Sequence, residues 1–129
     1  MAPRSAGSSQ SPFTASESPV DTTARYADMF AAIGTEARLR IVRLLLSAHP
    51  AGMVVGDILH ELSIAPSTLS HHLEKLKNEG LVEVRRDGTF LWYRANTTAL
   101  QDLLSFLYSE CCTRNQEIAP EEIRLASPP

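Results

Sequence analysis

Large apolar residues begin to recur at helical spacing near residue 23. Tyr26, Met29, Phe30 and Ile33 fall at i, i+3, i+4 and i+7, which is one face of a helix. Gly34 interrupts that face, and Thr35 stands where it can cap a second helix with Ala37, Ile41, Leu44 and Leu45 inward. His49-Pro50-Ala51-Gly52 has the composition of a loop. Val54 to Leu62 predicts a short helix that buries Val55, Ile58, Leu59 and Leu62. A turn, Ser63-Ile64-Ala65, leads to a helix opened by Pro66, whose missing N–H would have no partner at a first helical position. Leu69, Leu73 and Leu76 form its buried stripe, and Gly80 supplies a left-handed stop. The period then changes to two. Val82, Val84, Phe90 and Trp92 alternate with Glu83, Arg85, Leu91 and Tyr93, which predicts two strands. Asp87-Gly88 reads as the two-residue type I′ turn between them. A fifth helix starts near Thr97 or Thr98 and carries Leu100, Leu103, Leu104, Leu107 and Tyr108.

The two ends differ from this middle. Residues 1–22 are rich in Ser, Pro, Ala and Thr and read as a disordered segment. Residues 113–129 are acidic, close on Ser-Pro-Pro, and read as a flexible tail. Residues 23–112 then form one folded domain. Short helix, turn, Pro-opened helix, Gly stop and hairpin follow one another in the order of a winged helix-turn-helix. The expected class is α+β and mostly helical, with five helices and one β-hairpin.

Composition narrows the chemistry. A chain of 129 residues, 43% apolar, supports one small core. Its net charge of −3 argues against indiscriminate polyanion binding. A reader of DNA with this balance must gather positive charge on one surface. Lys75, Lys77, Arg85 and Arg86 lie in the right stretch, while Glu110, Glu117, Glu121 and Glu122 gather toward the other end. The two cysteines are adjacent, so they make no disulfide framework, and a reducing cytoplasm is the expected compartment. The first residues lack the apolar run of a secretory signal, and no stretch approaches the roughly 18 apolar residues of a membrane span.

The Pro66 helix has two chemically distinct sides. Its leucines face a core. Ser67, Thr68, Ser70, His71 and Lys75 are left for bases and phosphates. Hydroxyls bond phosphates and several base edges, so they position more than they discriminate. Lys75 and Lys77 reach a phosphate backbone. Arg85 and Arg86, beside the hairpin tip, suit a minor groove or its phosphates. His72 is counted with this set, but packing or bonding at the edge of the helix-turn-helix is the favoured role for it. A metal held by His71 and His72 is disfavoured, because adjacent helical residues project about 100° apart. A polar helix face alone would be ordinary solvated surface. The order of elements around it favours DNA.

Two stretches, IGTEARLRIVRLLL and DILHELSIAPSTLSHHLEKLKNEGLVEVRRDGTFLWYRA, resemble the ArsR/SmtB metalloregulators. The most specific part is the Ser-His-His-Leu-x-x-Leu-x-x-x-Gly-Leu-Val run, and the resemblance extends from Tyr26 to Tyr108. It implies a homodimeric winged-helix repressor that occupies double-stranded operator DNA and leaves when it binds an inducer. It also implies a dimer interface built from the first and last helices.

Inducer sites in that family lie on different helices. The pattern with cysteines just before the recognition motif has no match, since Met53 to Leu59 contains no thiol. The zinc pattern on the last helix finds only Asp102 and Glu110, with no histidine. Cys111 and Cys112 remain, at the expected end of the last helix. Cys111 continues the stripe of Leu100, Leu104 and Leu107, and Cys112 projects about 100° round it. Neighbouring thiols favour soft, thiophilic ligands. A trivalent arsenical is the expected inducer: methylarsenite or phenylarsenite needs only two sulfurs, whereas arsenite needs a third ligand. Some relatives carry a Cys-Cys pair after the last helix, which the resemblance adds in support. Thiol oxidation and other soft metals are rival signals, and buried structural cysteines are the plain alternative. A winged-helix protein-interaction module that never touches DNA is a different class. Enzyme activity is not expected, because the chain has no phosphate-cradling glycine loop and no His-x-x-x-His motif with its Glu.

Overall fold

The computed structural model describes residues 19–115. Expectations for residues 1–18 and 116–129 lie outside the described residues. Among the described residues five helices and three strands follow in the order α1 (Pro19–Ile33), α2 (Glu36–Ser47), β1 (Met53–Val54), α3 (Val55–Leu62), α4 (Pro66–Asn78), β2 (Val82–Asp87), β3 (Phe90–Ala95) and α5 (Thr97–Tyr108). α1 begins four residues before Thr23. Apolar periodicity cannot mark that first turn, which a proline opens.

The periodic leucines and isoleucines do what their spacing requires. Ile41, Val42 and Leu45 of α2, Ile58 of α3, and Leu69, Leu73 and Leu76 of α4 converge with Leu81, Val82, Ala95 and Leu103 in one core. Each fully buried Leu or Ile contributes about 1.5–3 kcal/mol relative to exposure. Thr35 caps α2, its hydroxyl accepting from the Arg38 amide at 3.1 Å. Ser63 closes α3 in the left-handed region, φ 54°, and so aims the chain into α4. α1 packs against α2, α4 and α5. Tyr26 of α1 stacks on Phe106 of α5 with ring centroids 4.3 Å apart.

The sheet differs from the expected hairpin in two ways. It has three strands in the order β1-β3-β2, all antiparallel. β1 pairs Met53 with Tyr93 and Val54 with Trp92, and two residues are too few to show a period. Gly52, at φ 85°, permits this pairing, because any Cβ there would run into the Tyr93 carbonyl. The hairpin turn is also shifted by one residue. Asp87 pairs with Phe90, so Gly88-Thr89 forms the loop. Gly88 has φ 65° and Thr89 is not among the positive-φ residues. That is the type II′ pattern, glycine first, rather than the type I′ turn expected at Asp87-Gly88.

Not every apolar position turns inward. Phe30 on α1 and Leu104 and Leu107 on α5 are exposed, Leu107 by 60%.

Candidate nucleic-acid interface and thiol pair

α4 holds its two faces as the leucine spacing demands. Leu69, Leu73 and Leu76 are buried, and Ser67, Thr68, Ser70, His71 and Lys75 are all exposed. Thr68, His71 and Lys75 stand at i, i+3 and i+7 and share one outer face. Ala65, the residue preceding α4, offers no side-chain cap. The first amides of α4 therefore depend on solvent or an outside acceptor. Lys77 lies 3.9 Å from Glu74, which partly offsets its charge.

His72 turns away from that face. It is half-buried, and its Nδ1 lies 3.2 Å from Nη1 of Arg38 on α2. An arginine only donates, so Nδ1 accepts and the ring is neutral with its proton on Nε2. Desolvation first, then the Arg38 charge and His71, push the His72 pKa below its ordinary value. Arg38 also donates from Nε to the Ala32 carbonyl at the end of α1, at 2.5 Å. One guanidinium thus joins α1, α2 and α4. Nothing in the sequence singled out Arg38, because its role exists only when three helices meet.

Arg85 and Arg86 do not act as a pair. Arg85 is opposite Trp92 and Arg86 opposite Leu91, so alternation sends them to opposite faces of the hairpin. Arg85 lies over the Trp92 ring at 5.4 Å and 3.9 Å from Asp87. On the same face Arg94 donates to Glu83 at 2.9 Å.

The cysteines sit differently from expectation. α5 ends at Tyr108, so they lie beyond it rather than on its stripe. Ser109 follows as the C-cap, its hydroxyl donating to the Phe106 carbonyl at 2.8 Å. The Cys111 amide then bonds the Tyr108 carbonyl at 2.8 Å, and Cys112 takes φ 64°. That turn replaces the 100° helical separation with a sulfur–sulfur contact of 3.1 Å. Both residues are half-buried. The shared hydrogen bond to Cys112, then desolvation and the neighbouring thiol's charge, raise the Cys111 pKa. Among the described residues no group of three or more His, Cys, Asp or Glu side chains could hold a metal ion. Glu110 lies off α5 in this turn, apart from Asp102 on the helix.

A buried-stripe helix with a hydroxyl- and lysine-bearing outer face, set between a helical turn and a β-wing, defines a winged helix-turn-helix DNA-binding protein. Residues 35–84 match the family described as bacterial regulatory protein, arsR family. The transcriptional repressor SdpR of Bacillus subtilis is 35% identical over 62% of this chain and 86% of its own length. The arsenical resistance operon repressor of Staphylococcus aureus is 32% identical over 58% of this chain and 69% of its own. An ArsR-like transcriptional regulator from Rhodococcus sp. RHA1 superposes with a TM-score of 0.61 at 28% identity, covering 68% of this chain and 80% of that one. The chain belongs to the ArsR family of DNA-binding transcriptional regulators. Among the described residues no helix is long and apolar enough to cross a membrane.

Proposed function

We propose that this chain is a homodimeric repressor that leaves its operator when Cys111 and Cys112 bind a trivalent organic arsenical. The observation that carries this reading is the 3.1 Å contact between two half-buried sulfurs just beyond α5. Two sulfurs bonded to one arsenic atom need a similarly short separation. A methyl- or phenyl-arsenical has spent one of three bonds on carbon and exchanges its two hydroxyls for two thiols. Two waters leave and no net proton is released. A thiol whose pKa is raised, as that of Cys111 is by its hydrogen bond with Cys112, suits that exchange better than capture of a divalent metal, which needs thiolates. The arsenical resistance operon repressor among the relatives adds support.

Thr68, His71 and Lys75 contact the duplex from the outer face of α4, with Ser67 and Ser70 on phosphates near its start. Arg86 or Arg85 follows the backbone from the wing, one per groove-facing side. Phe30, Leu104 and Leu107, exposed on α1 and α5, form the dimer seam and spare apolar surface from water. Recognition helices about 34–36 Å apart would then read two half-sites. Ligand at the end of α5 acts on α1 through the Tyr26–Phe106 stack. A coupling of about 1–3 kcal/mol lowers operator affinity roughly five- to 150-fold.

The test uses a duplex selected from random-sequence DNA by the wild-type chain, with binding read by fluorescence anisotropy. Phenylarsine oxide or methylarsenite should release the wild type and leave the Cys111→Ser/Cys112→Ser variant bound. Equal release of both, or release of neither, removes the arsenical-sensor reading. The same sulfur contact supports a second reading, thiol oxidation. Release by hydrogen peroxide with none by either arsenical would favour it.

A further inference from the structure

Buried leucines hold α4 to the core, but apolar contact is not directional. It fixes how close the helix lies and leaves its roll about its own axis to shape alone. A roll of a few tens of degrees would swing Thr68, His71 and Lys75 together off a groove. The one side chain of α4 with a directional polar tie to another helix, among the described residues, is His72. Its partner, Arg38, is itself fixed twice. Its amide is capped by Thr35, and its Nε is spent on the Ala32 carbonyl. The tie therefore ends on α1, the helix that stacks on α5.

We propose that Arg38 is a positioning residue for DNA binding, setting the roll of α4 against the end of α1 through the neutral ring of His72. The proposal rests on the DNA-binding reading and is independent of what the cysteines bind. It makes His72 an internal strut rather than a DNA contact. The adjoining His71 is exposed, with ring centroids 5.9 Å apart, so one imidazole faces outward and the next inward. Protonation undoes the strut. A proton on Nδ1 would place two donors and two positive charges face to face. Arg38 of α2 and His71 of α4 are the charged or titratable groups acting on the ring. α1 and β2 also pack on α4, with Arg25, Tyr26 and Asp28 on the first and Glu83, Arg85, Arg86 and Asp87 on the second. The consequence has a sign opposite to that of a direct contact. An imidazolium on a phosphate strengthens binding as pH falls, whereas loss of the strut weakens it.

The experiment measures affinity of the full chain for its selected duplex at about pH 7.5 and about pH 5.5, on either side of the ordinary imidazole pKa, at fixed salt. All proteins carry His71→Gln, so that one imidazole of the pair titrates. The parent should lose about threefold to tenfold in affinity on acidification. His72→Leu and Arg38→Met should already be weaker by about that factor at the higher pH and lose no more. His72→Asn keeps an acceptor where Nδ1 stood but cannot titrate. It should bind like the parent at the higher pH and hold that affinity at the lower one. His72→Asn also keeps the proposal testable should Arg38→Met fail to fold, as circular dichroism would show. Tighter binding by the parent at the lower pH, or the same acid loss in His72→Asn, overturns the proposal. So does parental affinity in folded Arg38→Met and His72→Leu. If the wild type selects no duplex at all, the DNA-binding reading falls and takes the strut with it. If it selects one and the variants match the parent, only the strut falls.

Discussion

The side-chain amide of Asn96 donates to the Gly80 carbonyl at 2.8 Å. Its Oδ1 accepts from the Ala99 amide at 3.2 Å and so caps α5, while its own amide donates to the Leu81 carbonyl. One residue thus joins the stop of the recognition helix to the start of α5. The end of α4 and the cap of α5 are mechanically one unit.

Asn96→Ala should cost about 1–2 kcal/mol, since it removes a helix cap and leaves the Gly80 carbonyl without this donor. Asn96→Ser can restore the cap but cannot reach Gly80, and should lie between the two. Urea denaturation of the three proteins checks the order.

Gly52 and Gly56 should respond oppositely to alanine. At Gly52 a Cβ meets the Tyr93 backbone and φ is 85°, so Gly52→Ala should destabilise by about 1–3 kcal/mol and free β1 from β3. At Gly56, in the first turn of α3, a Cβ meets nothing within 4 Å. Gly56→Ala should stabilise by up to about 1 kcal/mol. Thermal melts distinguish them, and hydrogen exchange at Val54 would show whether the third strand is lost.

Acidification should lower fold stability through His72. Its pKa is pushed below the ordinary 6.5 in the folded chain, so as pH drops below that value the unfolded chain takes up the proton first. The contribution is fully present above about pH 6.5 and declines as pH falls toward the lowered folded value. Urea midpoints of the wild type should decline across that window more steeply than those of His72→Asn. Parallel curves would mean that the ring does not report this burial.

Ligand chemistry at the thiols should show in its pH dependence. Exchange of arsenical hydroxyls for thiols releases water, so phenylarsine oxide affinity should be nearly flat across neutral pH. Cadmium captured by both thiols displaces two protons from sulfurs of which Cys111 is held above its ordinary value of 9.0. Its affinity should drop by up to about a hundredfold for each unit that pH is lowered. Competition titrations on the same protein give both slopes, and equal slopes would refute the exchange as written.

Lys75→Ala should weaken duplex binding and flatten its salt dependence. Each lost phosphate contact lowers the log–log slope by about 0.9, so a dimer loses nearly two. Lys77→Ala should do less, because Glu74 lies 3.9 Å from that ammonium. Identical slopes for Lys75→Ala and wild type would remove this contact from the interface.

The elements whose evidence is local were legible in the chain. The stripe of Leu69, Leu73 and Leu76 defined α4 and its outer face, and Pro66 marked its start. Both follow from helical geometry, which repeats every 3.6 residues whatever lies nearby. The hairpin was legible too, but its turn was one residue out. Asp-Gly and Gly-Thr are both adequate loops, and the pairing of Asp87 with Phe90 chose between them. β1 left no periodic trace, since its two residues are strand only because β3 lies beside them.

The candidate site residues divide the same way. The sequence by itself determined that Thr68, His71 and Lys75 share a face, and that the two cysteines are neighbours in the chain; the turn after α5 brought their sulfurs into contact. It could not determine that α5 stops at Tyr108, because Leu107 and Tyr108 continue its apolar spacing and no glycine or proline follows to mark the end. Nor could it name the partner of His72, or find Arg38 and Asn96. Those roles depend on which carbonyl or ring another helix brings within about 3 Å, the short range over which hydrogen bonds form. Periodicity reports which side of a helix is apolar. Only the packed tertiary structure decides which polar group on the rim meets a partner.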